Sequence, residues 1–258
     1  MEKQSTKLAG NDFPFSGDFL AGRLRKHLSH DDLYYIESLF DGTLTLPARE
    51  TLVERGKRMD ISAILVSGFM FRTIQMGGNR YIVGIHLPGD FVDLHAFALK
   101  RLDHSIVAVD DTRVAVVQHK KLKEVMDQRP HVARAMWFAT LLDASIHRKW
   151  IHMMESLGAP RRIAHIYCEL QTRLSLIGRA NERVVRTPFT QKDIADMSGV
   201  SAIHANRAVS KLRELELAEI RRGSLYTDHW SALRKYAGFD ASYLYGDGPL
   251  HLNEGWGR

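Results

Sequence analysis

The apolar positions of this chain change their period twice. Residues 1–30 are polar without a sustained period, which predicts an N-terminal arm with at most one short helix. From about Thr43 to Val117 the apolar residues come in short, β-rich runs. These are Ala63-Ile64-Leu65-Val66, Phe69-Met70-Phe71, Tyr81-Ile82-Val83-Gly84-Ile85, Ile106-Val107-Ala108-Val109 and Arg113-Val114-Ala115-Val116-Val117. Ser67-Gly68, Gly77-Gly78-Asn79 and Pro88-Gly89-Asp90 separate them, and short strands so closely spaced predict an antiparallel sandwich or barrel over 31–125. Gly77-Gly78-Asn79 reads as a hairpin turn. From about Lys120 the period is helical. Val132, Met136, Ala139, Leu142, Ile146, Trp150, Met153 and Leu157 recur every three or four residues, close to a coiled-coil seam. The expectation is a long helix over 126–158 whose seam pairs with a second copy, twofold homodimers being the commonest oligomers. The alternative is a helix lying on its own β-domain. Gly158-Ala159-Pro160 ends it, and Pro160 suits the first turn of the next helix.

The region 159–235 can be read almost residue by residue. Thr190 stands three positions before Asp193, ahead of an apolar-periodic run, so its hydroxyl can cap a helix running from Gln191 to about Ser198. Asp193 favours the positive end of that helix. Ile194 and Met197 face inward, Ala195 permits a close crossing, and Gly199 tolerates the positive φ of a tight inter-helix turn. Ser201 caps a second helix that buries Ala205, Ala208, Val209 and Leu212. The sum is a helix-turn-helix. Beyond it, Arg222-Gly223 between Ile220 and Leu225-Tyr226 predicts a hairpin wing, with Arg221 and Arg222 at its tip.

Charge supports a polyanionic partner. The net charge is +6, and residues 161–235 carry all of it, with 14 Lys or Arg against 8 Asp or Glu. Clustered cations release counterions on binding nucleic acid. The exposed early face of the second helix presents Ser201, Ala202, Ile203, His204, Asn206 and Arg207. Asn pairs bidentately with adenine, Arg with guanine, and Ala or Ile can touch a thymine methyl. Thr190, Gln191, Lys211, Arg221 and Arg222 complete the set assigned to double-stranded DNA. The competing reading is a solvated helix face, against which stands the poor helix propensity of Asn206.

The arrangement resembles the Crp/Fnr family of bacterial transcription regulators, over roughly residues 40–228. Two motifs carry the resemblance. Leu87-Pro88-Gly89-Asp90-Phe91 is similar to the family's Gly-Asp-Phe corner, and Thr190 to Leu212 (TQKDIADMSGVSAIHANRAVSKL) to its DNA-binding element. The resemblance implies an α+β chain: an N-terminal antiparallel jelly roll of the cyclic-nucleotide-binding type, a dimerisation helix and a C-terminal winged helix-turn-helix. It also implies a homodimer on a palindromic operator, contact with RNA polymerase, and an effector pocket near Gly89, Asp90, Phe91, His104 and Ser105. The chain departs from the pattern at Leu94, where cyclic-AMP-binding members carry Glu. At His104-Ser105 they carry Arg-Ser, and a neutral imidazole cannot replace a guanidinium fork. Ala202 and Ile203 replace Arg and Glu of well-known members, while Arg207 matches a base-reading Arg, so a different operator is expected.

Composition narrows the rest. With 45% hydrophobic and 26% charged residues the chain reads as globular, and no apolar run approaches the ~18 residues of a membrane span. The N-terminus lacks a secretory core, so the expected location is the cytoplasm. Cys168 is the single cysteine, which removes an internal disulfide and the ligands of an iron–sulfur cluster. It reads as a buried, inert thiol, with a redox switch as the alternative. No cofactor is assigned; heme stays open because His86, His95 and His104 fall near the pocket region. Rival readings are a regulator set by abundance alone, a cupin-like metal enzyme, and an adaptor whose helix-turn-helix binds protein. The tail, 236–258, is rich in Gly and aromatics, and both packing on the wing domain and disorder remain open for it.

Overall fold

The computed structural model describes residues 12–246. Helix α1 (His30–Ser38) precedes strands β1 (Gly42–Leu46), β2 (Thr51–Val53), β3 (Ile61–Ser67), β4 (Met70–Met76) and β5 (Asn79–His86). Then come α2 (Ala96–Leu99), β6 (Ser105–Ala108), β7 (Thr112–Gln118), α3 (His119–Gln128), α4 (Pro130–Ser156) and α5 (Ala159–Leu176). The C-terminal part holds β8 (Val184–Val185), α6 (Gln191–Ser198), α7 (Ala202–Glu214), β9 (Glu219–Arg221), β10 (Ser224–Tyr226) and α8 (Trp230–Ala237). Strands β1-β7-β3 and β2-β6-β4-β5 form two antiparallel sheets that enclose Val53, Leu65, Met70, Ile106 and Val114. In the β4–β5 hairpin Met76 pairs with Asn79, and Gly77 and Gly78 take φ of 59° and 77°. Two positive φ values in a two-residue loop define the turn whose twist matches the strands.

β3 is buried along both faces, which explains its unbroken apolar run. Ala63 and Leu65 point between the sheets, whereas Ile64 and Val66 pack against α1, α3, α4 and the N-terminal segment. That segment is not an arm over its described part. Phe19 and Leu24 are fully buried, and Glu37 of α1 accepts hydrogen bonds from the Phe15 and Ser16 amides at 3.0 and 2.9 Å. A polar sequence with widely spaced aromatics hides such a docking from period analysis.

The helical stretch divides at Arg129, whose φ of −131° and ψ of 70° leave the α region ahead of Pro130. The long helix is therefore 130–156, and α3 is a separate element. The tail returns to the body: Tyr243 donates to Glu169 at 2.7 Å, Leu244 is fully buried, and Tyr245 meets Phe138 edge-on at 6.0 Å. It packs on α4 and on α5, the first helix of the 159–235 region, so of the two readings left open the described part of the tail follows packing on that domain. Trp256 lies outside the described residues.

Candidate nucleic-acid interface and effector cavity

The helix-turn-helix forms as its sequence dictates. Thr190 and Asp193 make a reciprocal capping box, the Asp193 amide donating to Thr190 Oγ1 at 3.1 Å and the Thr190 amide to Asp193 Oδ2 at 2.8 Å. Gly199 ends α6 at φ 66°, the left-handed conformation that favours glycine. Ser201 Oγ accepts from the His204 amide at 3.3 Å and opens α7. Ala205, Ala208 and Leu212 are buried, and Val209 is half-buried. Thr190, Gln191, Ser201, Ala202, Ile203, His204, Asn206, Arg207, Lys211, Arg221 and Arg222 all lie exposed. Neither Asn206 nor Arg207 has a hydrogen-bond or ion-pair partner among the described residues, so their donors point to solvent. Others are engaged: Thr190 by its cap, Lys211 with Glu214 at 3.3 Å and Arg221 with Glu219.

The wing closes beside them. Arg221 pairs with Ser224, leaving Arg222 and Gly223 at the turn with φ of 48° and 83°. A Cβ at Gly223 would lie 2.1 Å from the Phe189 carbonyl oxygen, so only glycine lets the wing approach α6 this closely. Between α6, α7 and the wing runs a groove of about 470 Å³ lined by Gln191, Asn206 and Arg222 among others.

The residues expected to form a dimer seam are largely buried within the chain. Val132, Met136, Leu142, Trp150, Met153 and Leu157 are buried in the chain's own cores, and Ala139 and Ile146 pack against them. The six buried residues are taken up in the chain's own cores, which corrects their assignment to a partner, while Ala139 and Ile146 are half-buried. The apolar side chains that α4 presents outward are Trp137, Leu141 and Ile151, exposed by 66%, 51% and 70%.

Gly89, Asp90 and Phe91 line a cavity with β5, α4 and the N-terminal segment. Its volume is about 50 Å³, room for a few water-sized groups. Small-molecule sites occupy roughly 300–1,000 Å³, so neither a cyclic nucleotide nor a heme fits in this conformation. Gly89 takes φ 91°, and the Asp18 carbonyl presses where a Cβ would stand. Asp90 Oδ2 accepts from the Leu87 amide at 2.8 Å and from Arg173 of α5 at 2.5 Å. Two expected residues fall outside the lining. His104 is buried behind His95, ring centres 5.3 Å apart, and Ser105 Oγ accepts from the Arg55 amide at 3.0 Å.

Sequence reasoning missed what spans this site. Buried Arg72 of β4 reaches α4, with Nη1 2.9 Å from both Asp143 Oδ2 and His147 Nε2. Burial holds His86 well below its ordinary pKa and brings His95 down to about 4, so both rings are neutral near pH 7. Only the period-2 placement of Arg72 among apolar β4 residues could have signalled an inward cation. Among the described residues no group of three or more His, Cys, Asp or Glu is placed to hold a metal ion. No helix among them is long and apolar enough to cross a membrane.

Comparison with known proteins agrees with this anatomy. Residues 43–129 match the cyclic nucleotide-binding domain, and residues 161–236 match the Crp-like helix-turn-helix domain. The chain belongs to the Crp/Fnr family of transcription regulators. It is 27% identical over 200 residues to the transcriptional activator protein FnrL of Cereibacter sphaeroides, covering 75% of this chain and 79% of that one. The nitrogen fixation regulation protein FixK of Rhizobium meliloti is 27% identical over 146 residues, 56% of this chain and 62% of that one. Among solved structures, FixK2 from Bradyrhizobium japonicum superposes with a TM-score of 0.68 at 20% identity, over 75% of this chain and 96% of that one. The c-di-GMP responsive regulator CLP of Xanthomonas campestris gives 0.61 at 13% identity, over 77% and 99%. The likeness to these structures is one of fold, and these Crp/Fnr relatives are regulators rather than enzymes.

Proposed function

We propose that this Crp/Fnr regulator works as a cytoplasmic homodimer that reads a palindromic operator through two α7 helices and acts on transcription with RNA polymerase. The observation that carries the reading is α7 itself, which holds Asn206 and Arg207 without partners among the described residues on its exposed face, above the buried Ala205, Ala208 and Leu212. Thr190 and Gln191 at the start of α6, with Lys211, Arg221 and Arg222, supply phosphate contacts, which fix register without specifying sequence. Ile203, exposed by 66%, suits a thymine methyl. The outward stripe of α4, Trp137, Leu141 and Ile151, is the surface offered to the second copy.

An effector-independent regulator is favoured over a ligand-gated one by the Arg72 bridge. It ties β4 to α4 with the chain's own side chains beside a cavity too small for a nucleotide. In vitro selection from randomised duplexes tests the function. Wild type is expected to enrich an inverted repeat. Arg207→Ala is expected to lose about 1–3 kcal/mol of discrimination at one base pair per half-site. Unchanged sequence preference in that variant refutes the proposed readout.

A further inference from the structure

The DNA-binding domain is gripped by the β-domain at the start of α6. Arg80 of β5 places Nη2 2.6 Å from Asp193 Oδ1 and 2.7 Å from Asp196 Oδ2. Arg49, just before β2, meets both oxygens of Asp193, at 3.0 and 2.8 Å. Two-pronged pairing of this kind fixes angle as well as distance. The Asp193 side chain is only 1% exposed and that of Arg80 21%, so water screens this pair less than the Arg49 arm, whose side chain is 39% exposed. Beneath the ion pairs, the rings of Phe69 and Phe71 lie 5.6 and 5.1 Å from Phe189, the residue before the α6 cap.

The same α6 residue therefore caps its helix and ties it to another domain. The connection between α4 and α5 consists of Leu157 and Gly158 in extended conformation, a joint that by itself leaves the angle between domains free. α7 packs on α5 and α6, so whatever holds α6 also aims the recognition helix. In a twofold dimer a rotation at that joint moves the two recognition helices in opposite senses, changing the half-site separation they fit.

We propose that Arg49 and Arg80 are positioning residues for DNA binding, locking α6 and with it α7 at one angle to the β-domain, so that each protomer sets the half-site spacing. The proposal rests on the reading of a dimer on a two-part operator, whose half-sites lie about 34 Å, one DNA turn, apart. The arginines do this from the β-domain with their guanidinium groups turned to carboxylates, not to the exposed base-reading face.

The test uses the full chain and a duplex selected by wild type from a random library. Derivatives carry spacers one base pair shorter or longer, and a further duplex holds a single half-site. Wild type is expected to prefer one spacer. Arg49→Gln/Arg80→Gln is expected to bind that duplex about tenfold more weakly with a flattened spacer profile. Its half-site affinity and its salt dependence should remain those of wild type. Arg80→Asp is expected to behave alike, and Arg80→Asp/Asp196→Arg to restore the spacer preference, which a lost packing contact would not do. Thermal unfolding identifies a variant that does not fold; the single Arg80→Gln and the charge-swapped pair then carry the measurement. A sharp spacer profile in the folded double variant overturns the proposal. So does an equal loss on the half-site, or a salt slope lowered by about one per arginine, the mark of direct phosphate contact. Wild type that binds duplex without spacer preference refutes the two-part operator reading itself, and the proposal with it.

Discussion

Ile151→Glu tests which face of α4 meets a second chain. Ile151 is 70% exposed, so pairing can cover about two thirds of a side chain whose full burial is worth ~2–3 kcal/mol. That amounts to roughly 1.5–2 kcal/mol per protomer, and about 3–4 kcal/mol for the two copies brought together by a twofold axis. Losing it weakens association ~100-fold or more, and a carboxylate forced into the seam adds to the loss. Met153→Ala, two residues further along, serves as the contrast. Met153 is fully buried beside Trp150 and Leu157, so truncation costs about 2–5 kcal/mol of folding stability. Each kcal/mol lowers Tm by roughly 2–4 °C in a domain of this size. Sedimentation across a dilution series, with thermal unfolding of the same samples, separates the two effects. Ile151→Glu is expected to dissociate at concentrations where wild type is dimeric, and Met153→Ala to melt earlier. An Ile151→Glu protein that associates like wild type refutes the outward seam.

Three further outcomes are expected. Burial works to raise the Asp193 carboxyl, but hydrogen bonds from Arg49, Thr190 and Arg80 outweigh it and bring the pKa down to about 2. Its unfolded value is about 3.9, so its contribution is complete above pH ~4 and disappears as pH falls toward 2. Acid titrations of stability should be flatter in this window for Asp193→Asn than for wild type. Cys168 is buried and its thiol is pushed up to about 12 by desolvation, so alkylation at pH 8 should track global unfolding; rapid labelling of the native protein contradicts the burial. Tyr243→Phe removes a buried 2.7 Å hydrogen bond to Glu169 and should cost about 1–2 kcal/mol in denaturant unfolding, whereas a tail that merely rests on the surface predicts no change.

Much of the interface was legible because its cues are local. The capping pair Thr190/Asp193, the positive φ at Gly199 and the cap at Ser201 act within one turn of the chain, and apolar positions three or four apart define what α7 buries. The strands could be read for the same reason, β3 through an unbroken run and β4–β5 through Gly77-Gly78.

The α4 seam shows where such reading stops. The helix carries apolar residues in neighbouring pairs, Met136 and Trp137, Leu141 and Leu142, Trp150 and Ile151. Each pair contributes to two stripes about 100° apart, and periodicity does not say which stripe the chain keeps for itself. Packing against α1, α3 and α5 decided it, burying Met136, Leu142 and Trp150 and leaving the others outward. The N-terminal segment, the Arg72 bridge and the Arg49–Asp193–Arg80 cluster were equally illegible. Arg49 lies 144 positions from its partner and Arg80 113, with nothing periodic between them. The sequence by itself determined that there is a helix-turn-helix and which of its residues face outward, because hydrogen bonds and burial within a few residues specify them. Tertiary structure alone decided how that element is aimed and which face of α4 is free, because both depend on charges and apolar surfaces that meet only when distant parts of the chain close on one another.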